Sequence, residues 1–298
     1  MNRNARNFIL SVLVVSFSLN ILAWIVVFDL SKPRFLEVIF FDVGQGDAIF
    51  INTPKRQQIL IDGGPTSAIL EKLGKEMPFY DRTIDLIILT HPERDHLAGL
   101  LEVLEKYKVE NILWTGVERD TTEYEEWQKL IKKEGAKIYI VPSVQKITMG
   151  KDILMNFLYP SENLAGKELE NSNDTSIVSH LVFGKNSFLF TGDISKEAEK
   201  ELLIHINSCS NSCKFAILDS DVLKVAHHGS KTSSSEEFLK EVSPEIAVIS
   251  VGKSNSYGHP HQEVLEILTK YGIKILRTDL DGDIKIFSDG KNYEISNF

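Results

Sequence analysis

Short apolar runs alternate with amphipathic segments along residues 35–298, and this alternation limits the possible folds more than any other feature. Runs such as "FLEVIFF", "TIDLIILT" and "EIAVISVG" have the length and the β-branched content of buried strands. The segments "SEEFLKEV" and "HQEVLEILTKYG" carry apolar residues at helical spacing. Strands interleaved with helices, in two halves of similar rhythm, predict one α/β domain of packed layers.

The first 34 residues depart from this pattern, because residues 8–28 form an apolar run of 21 residues without a charge. As a helix this run would be about 30 Å long, which is the thickness of the hydrocarbon core of a bilayer. A cleaved signal peptide usually has a shorter run and a small-residue cleavage site, and a helix apolar on all sides is buried only in a large protein. We therefore predict a tail at 1–7, a single transmembrane anchor or uncleaved signal-like segment at 8–28, a linker at 29–34 and a folded domain at 35–298.

Charge distribution bears on location and on partners. Two basic residues flank the apolar run on each side, and the amino terminus adds a positive charge at the N-terminal side. The domain is therefore expected outside the cytoplasm, or secreted if the run is cleaved. Residues 35–298 carry 29 Lys and Arg against 41 Asp and Glu, a net charge of −12. This charge argues against broad electrostatic adhesion to nucleic acid, but not against an anionic substrate held by metal ions. Cys209 and Cys213 are compatible with a small disulfide loop or with two free thiols.

The stretch "THPERDH" concentrates metal-ligating side chains directly after an apolar strand. His91 and Glu93 are two positions apart and can point the same way, while Asp95 and His96 reach a neighbouring point. This spacing suits two adjacent metal ions better than one. A charged loop after a strand is common, so the stretch alone is a moderate signal.

Other apolar runs also end in potential ligands. Asp193 follows "SFLFTG", and His227 and His228 follow "DVLKVA". Asp47 lies in the glycine-rich "FFDVGQGDA" after another run. Because sites in α/β sheets form outside the carboxyl ends of strands, we expect these side chains to converge.

These motifs resemble those of a known family. "HPERDH", "LFTGD" and "LKVAHHGSKTS" are similar to the metallo-β-lactamase superfamily, and the wider set with "FFDVGQGDA", "ILIDGG" and "YGHPHQEVLEIL" resembles the hydrolase domain of ComEC-type DNA-uptake proteins. The resemblance extends over nearly all of residues 35–298. It implies an αββα four-layer sandwich, here preceded by one candidate membrane helix instead of a multispanning channel.

The resemblance also implies a binuclear metal site that activates water for attack on a phosphodiester. His91 and Glu93 would bind the first ion, with Asp95 and His96 on the second and Asp193 bridging the two. Position 93 is His or Asp in the family, so Glu93 departs from the pattern. A further histidine of the first site is absent, and Asn173 or Asp174 occupies its region. A site richer in oxygen shifts metal preference away from zinc, so two divalent ions are expected, Zn²⁺ or Mn²⁺.

Asp95 and His227 are the predicted catalytic residues. Asp95 would bind metal and orient the attacking water. His228 would complete the second metal site while His227 contacts substrate or a ligand, although the two histidines are interchangeable at this point. A further set is predicted to position ligands or to contact substrate, namely Gln45, Asp47, Lys231 and His259. Lys231 is equally compatible with a solvated helix entry, and His259 with a helix start.

The functional expectation is a membrane-anchored, extracytoplasmic phosphodiesterase or nuclease that acts on DNA during uptake. DNA, the membrane and DNA-uptake channel proteins are the expected partners, without an organic cofactor. One alternative is a hydrolase of a small envelope phosphodiester or other ester. Another is a catalytically decayed binding partner of an uptake complex, given Glu93 and the missing histidine.

Overall fold

The computed structural model describes residues 2–31, 35–142, 145–150, 152–208 and 218–297. The chain divides into two compact units, Met1–Arg34 and Phe35–Phe298. Cys209 and Cys213, for which a disulfide or two free thiols were both expected, lie outside the described residues.

The N-terminal unit contains one long helix, α1, at Arg3–Ser31. It begins five residues before the predicted span at 8–28 and ends three residues after it, so residues 29–31 of the predicted linker are helical. Its described apolar side chains are exposed, with Phe8 and Trp24 both at 69%. The segment Arg3–Trp24 is long and apolar enough to cross a membrane, as the sequence predicted, and a signal sequence shares these properties.

The second unit is built on two sheets, and the first of them contains eight strands. Their bounds are β1 Leu36–Phe40, β2 Ile49–Asn52, β3 Gln58–Ile61, β4 Thr83–Ile88, β5 Lys108–Trp114, β6 Lys137–Ile140, β14 Ile284–Ser288 and β15 Tyr293–Asn297. They lie in the order β15-β14-β1-β2-β3-β4-β5-β6. Strands β3 to β6 run parallel to one another, and the remaining pairs are antiparallel.

The second sheet contains seven strands. Their bounds are β7 Lys146–Met149, β8 Ile153–Tyr159, β9 Val178–Phe183, β10 Asn186–Phe190, β11 Val222–Lys224, β12 Ile246–Ile249 and β13 Lys274–Arg277. They lie in the order β13-β12-β11-β10-β9-β8-β7. Strands β10 to β13 are parallel.

Helices cover the outer face of each sheet. Those on the first sheet are α2 Ala68–Glu76, α3 Arg94–Lys106 and α4 Thr122–Glu134, and those on the second are α5 Lys196–Ser208, α6 Glu236–Val242 and α7 Gln262–Lys270, with the short α8 Thr278–Asp281 after β13. Each helix group shares an apolar core with its own sheet, and a third core lies between the sheets. The predicted αββα four-layer sandwich is therefore confirmed.

Strand β4 shows why the near-continuous apolar runs were reliable predictors. Ile84 and Ile87 pack against the helices, while Leu86 and Ile88 face the core between the sheets. A strand covered on both faces needs apolar side chains at successive positions, in contrast to the alternation of a half-exposed strand. At the carboxyl ends of β4, β10 and β11 the chain leaves the sheets into the segments that carry most of the predicted ligands.

His180 in β9 lies apart from this edge. Because its imidazole is buried, we expect the stability of the domain to depend on pH. Burial lowers the pKa of His180 to about 4, and the nearby Asp219 offsets this only in part. Between pH about 6.5 and pH about 4 the unfolded chain therefore binds a proton that the folded chain does not bind. Acidification through this window favours unfolding, and the contribution of His180 is complete below pH 4.

We expect His180 to account for the loss of about 3 kcal/mol of unfolding free energy between pH 7 and pH 4. Urea unfolding of wild-type protein and of His180→Gln at several pH values measures this contribution as the difference between their pH profiles. His205→Gln, at an exposed position of α5, serves as the control and should follow the wild type. Parallel profiles for wild type and His180→Gln would contradict the assignment.

Candidate metal centre

The first sheet supplies three potential ligands through the loop after β4 and the first turn of α3. His91 follows β4, and Asp95 and His96 lie in the first turn of α3. The glycine-rich loop at 41–48 packs directly on this turn. A Cβ at Gly46, whose φ is +141°, would lie 2.2 Å from the backbone oxygen of Asp95, so only glycine permits this approach.

The second sheet supplies the other ligands. Asp193 follows β10, and its backbone N–H donates to Ser176 Oγ at 3.0 Å. His227 and His228 follow β11 with φ values of 50° and 55°, in the left-handed region that side chains other than glycine rarely adopt. Such strain persists only where the surrounding structure imposes it, and it is concentrated at functional sites.

Four of the predicted ligands converge at this edge. Asp95, His96, Asp193 and His228 each offer one ligand atom, and these four atoms lie within 4.8 Å of one another. His96 Nε2 is 3.4 Å from Asp193 Oδ2, while His228 Nε2 is 3.4 Å from the same oxygen and 3.3 Å from Asp95 Oδ2. Among the described residues neither Nε2 atom has a hydrogen-bond partner, although both are buried. Two imidazole nitrogens and two carboxylates in this arrangement fit a divalent metal ion.

The remaining ring nitrogens are held by neighbours that aim each Nε2 at the centre. His96 Nδ1 donates to Asp62 Oδ2 at 2.8 Å, and His228 Nδ1 donates to the Ser250 carbonyl at 2.8 Å. Asp62 also accepts from the backbone N–H and the hydroxyl of Thr90. Asp62 therefore forms part of a left-handed turn after β3, with φ at 57°, and also holds the ring of His96 directly.

Electrostatics at the centre favour cations. Burial alone would lower the pKa of both histidines, but the surrounding carboxylates, led by Asp193, raise the pKa of His96 well above its ordinary value and that of His228 to about 10. Burial would raise the pKa of Asp193, but His228, His96 and Lys224 hold it well below its usual range. Stabilisation of positive charge at these positions is the condition for binding a metal ion.

Lys224, the last residue of β11, is a functional residue that the sequence analysis missed. Its side chain is fully buried, and its Nζ binds Asp47 and donates to the Gly192 carbonyl at 3.1 Å. Asp193 Oδ1 lies 3.5 Å from the same nitrogen. Asp47 was predicted to position a ligand, and its carboxylate lies 3.5 Å from His228 Nδ1 while its main partner is Lys224. A charge at the end of an otherwise apolar strand, "DVLKVA", was the available signal.

The predicted ligands of a first metal ion are arranged differently. His91 is buried beside His96, with ring centroids 4.2 Å apart, and its Nε2 has no hydrogen-bond partner in the part of the chain that the structure describes. Glu93 Oε1 lies 2.6 Å from Arg119 Nη2 and accepts a hydrogen bond from Ser172. Within the described part of the chain, neither His91 nor Glu93 joins a group of clustered ligand atoms. Their role at a first metal ion stays a prediction.

Asn173 and Asp174 lie near the centre with different partners. Asn173 Nδ2 is 3.3 Å from His227 Nε2. Asp174 accepts from the Ser195 backbone N–H at 2.9 Å through one oxygen and from Asn171 Nδ2 at 2.6 Å through the other. The Asp174 carboxylate therefore stabilises the turn after Asp193. A role in metal binding stays a prediction for both residues.

The remaining predicted residues surround the centre. Gln45 Oε1 accepts from the Gly252 N–H at 3.2 Å. The His259 ring lies 5.5 Å from that of His227, and burial together with its histidine neighbours lowers its pKa to about 4. Lys231 is exposed, and its carbonyl accepts from Lys196 Nζ at 2.7 Å. His259 is thus placed to contact a molecule bound beside His227.

Comparison with known protein families decides the relationship. Residues 41–253 match the family model described as "Metallo-beta-lactamase superfamily". The chain belongs to the metallo-beta-lactamase superfamily. Membership agrees with the two-sheet sandwich and with the placement of the ligands at one edge of both sheets.

Within this superfamily the chain is similar to several curated bacterial proteins, one of which is named a competence protein. It is 32% identical to ComE operon protein 3 of Bacillus subtilis over 84% of the chain and 32% of that protein. It is 32% identical to competence protein ComA of Neisseria gonorrhoeae over 83% of the chain, and 28% identical to recombination protein 2 of Haemophilus influenzae over 93%. The chain spans about a third of the length of these curated relatives.

Solved structures support the fold. The metallo-beta-lactamase fold protein YhfI of Bacillus subtilis aligns with a TM-score of 0.51 and 16% identity, covering 81% of this chain and 96% of that protein. CmlA, a diiron β-hydroxylase of Streptomyces venezuelae, aligns with a TM-score of 0.51 and 13% identity, covering 90% of this chain and 55% of CmlA. At these identities the likeness concerns the fold alone.

The hydrogen bond between Asp62 and His96 predicts that metal affinity depends on the Asp62 carboxylate. Asp62→Asn loses the acceptor charge that orients His96, so we expect metal affinity to fall by about 10- to 100-fold with the fold retained. Calorimetric titration with Mn²⁺ measures the change. Asp85→Asn, in the N-terminal half of β4, is the control and should bind like the wild type. Unchanged affinity in Asp62→Asn would show that the carboxylate does not orient the ligand.

Proposed function

We propose that the protein is a metal-dependent phosphodiesterase that cleaves DNA. The observation that carries this proposal is the cluster of Asp95, His96, Asp193 and His228, whose buried ligand atoms share one point without direct hydrogen-bond partners on either Nε2. Divalent ions held there would activate water and neutralise charge on a phosphoryl oxygen. Similarity to competence proteins supports DNA as the substrate.

The proposed roles divide among residues of this chain. Asp95, at the mouth of the cluster, is the proposed ligand that also orients the attacking water. His227 is half-buried between Asn173 and Thr232, with its Nε2 and Nδ1 each 3.3 Å from one of them. Burial lowers the pKa of His227, which favours the neutral imidazole, and His227 is the proposed residue that contacts the substrate. Asp193 is the proposed bridge if two ions bind.

The strong negative charge of residues 35–298 supports short contacts with DNA. A protein that follows a long stretch of nucleic acid needs a basic groove, and the net charge of −12 does not favour one. A free strand end of a few nucleotides at the metal centre requires no such groove. The same charge favours the alternative of a small envelope phosphodiester, which is the second candidate function.

Membrane attachment through α1 and a position outside the cytoplasm complete the proposal. The relatives named for competence support a role beside DNA-uptake channel proteins, and the chain corresponds to about a third of their length. Protease treatment of intact cells tests the orientation: an accessible C-terminal tag supports an external domain, and a protected tag contradicts it.

Cleavage of a linear DNA fragment by the full chain in detergent micelles tests the activity. The protein is stripped of metal and supplied with Mn²⁺, Mg²⁺ or Zn²⁺, with Asp95→Ala as the matched variant. Metal-dependent degradation that disappears in Asp95→Ala supports the nuclease. Bound metal without DNA cleavage, but with hydrolysis of bis(p-nitrophenyl) phosphate, favours the small phosphodiester. Failure to bind metal would contradict both and favour a decayed binding partner.

A further inference from the structure

Arg119 occupies an unusual place beside the metal centre, because its charge faces a residue predicted to be a ligand. Its Nη2 binds Glu93 Oε1 at 2.6 Å, and Ser172 Oγ donates to the same oxygen. Glu93 is the N-cap residue of α3, yet its side chain accepts no hydrogen bond from the first turn of the helix. The carboxylate is thus directed to the guanidinium.

The chain segment that carries Arg119 is held firmly in place. Arg119 Nη1 donates to the Leu169 carbonyl at 3.4 Å, and Glu118 pairs with Glu168 in an isolated β-bridge. The Glu118 N–H donates to the Lys167 carbonyl at 2.9 Å. About a quarter of the Arg119 side chain and under a third of the Glu93 side chain are exposed, so the pair is only partly screened by water.

The two halves of the predicted binuclear site differ in what they offer to a cation. The cluster of Asp95, His96, Asp193 and His228 is complete in itself. Beside it, His91 presents a buried Nε2 without a partner, while the carboxylate that would complete its site is bound by a cation. A guanidinium and a divalent ion on one carboxylate repel each other, so they compete for Glu93.

We propose that Arg119 sets the number of metal ions at the centre. While Arg119 binds Glu93, the protein holds one divalent ion in the four-residue cluster, and a second ion binds beside His91 only when Glu93 leaves Arg119. This inference rests on the metal site of the proposed function but requires no cleavage of DNA.

Counting bound Mn²⁺ on the full chain in detergent micelles tests the inference. Elemental analysis after dialysis gives the number of ions, calorimetry gives their affinities, and electron paramagnetic resonance detects a spin-coupled Mn²⁺ pair. We expect one tightly bound ion in the wild type and two in Arg119→Gln. The second ion should bind roughly tenfold more tightly than in the wild type, because the charged hydrogen bond from Arg119 no longer competes with the ion for Glu93.

Two further variants separate this effect from a general change of charge. Arg277 also forms an ion pair of 2.6 Å, with Asp279, and its side chain has the same 24% exposure as that of Arg119. Arg277→Gln should therefore hold one ion, like the wild type. The double variant Glu93→Gln with Arg119→Gln should also hold one ion, because the freed ligand has lost its charge.

Two tightly bound ions in the wild type, or a single ion in folded Arg119→Gln, would overturn the inference and leave the proposed nuclease intact. A wild type that binds no ion would contradict the proposed function itself. If Arg119→Gln does not fold, Glu93→Ala provides the second test. The inference requires Glu93→Ala to retain the tight ion with its affinity unchanged, and loss of that ion would overturn it.

Discussion

Asp193→Asn is expected to lower metal affinity by at least about 100-fold and to abolish metal-dependent cleavage. Asp193 Oδ2 lies 3.4 Å from both His96 Nε2 and His228 Nε2, so its negative charge interacts with both imidazoles. Loss of a residue that only orients a ligand already costs about 10- to 100-fold, and Asp193 contacts the proposed ion directly. Calorimetric titration with Mn²⁺ and the shift of the melting temperature on metal addition measure the effect.

Asp221→Asn is the matched control for this experiment. Asp221 lies at the opposite end of β11 and accepts from the Ser187 backbone N–H at 2.7 Å, remote from the metal centre. Its replacement should leave metal affinity unchanged even if stability falls. A titration curve of Asp193→Asn that overlays the wild type would show that Asp193 is not a ligand.

Lys224→Met should lower the unfolding free energy by about 3–5 kcal/mol, measured by urea unfolding without added metal. The methionine matches the lysine in length but leaves Asp47 and Asp193 buried without their shared cation. Despite burial, the carboxylates of Asp47 and Asp193 raise the pKa of Lys224, so its charge is retained in the folded protein. Added Mn²⁺ should restore part of the lost stability, since a divalent ion neutralises Asp193.

Lys75→Met provides the comparison for a surface ion pair. Lys75 binds Glu71 at 2.7 Å within α2, and both side chains are more than 60% exposed. Such pairs contribute at most about 1 kcal/mol, so this variant should be nearly as stable as the wild type. Equal stability of Lys224→Met and Lys75→Met would mean that the buried lysine is not needed to balance the carboxylates.

Local patterns predicted an α/β domain of packed layers and the edge where the ligands meet, whereas the αββα order of the layers came from the family resemblance. The apolar runs before His91, Asp193 and His227 proved to be strands that end at the centre, namely β4, β10 and β11. The edge strands β7 and β15 were not identified, since "KITM" and "YEISN" lack the long apolar run of a strand covered on both faces. The family resemblance was confirmed by the match over residues 41–253.

Local sequence patterns could not predict which residues hold the ligands in place. Asp62 bonds to His96 across 34 positions, Lys224 reaches Asp47 from the other sheet, and Arg119 meets Glu93 from the loop after β5. Each pair joins segments that are distant in the sequence, and the Lys224–Asp47 pair also requires the two sheets to pack. A charged residue near a strand end has the same local pattern whether it faces water or an ion. Spacing could therefore propose ligands but not the groups that hold them.

The distribution of the ligands along the chain has a consequence for biosynthesis. The first sheet provides Asp95 and His96 early, but Asp193 and His228 emerge from the ribosome about 100 or more residues later. A chain whose translation stops between these positions carries only two of the four clustered ligands. The proposed hydrolytic capacity would thus arise only when the second sheet docks on the first.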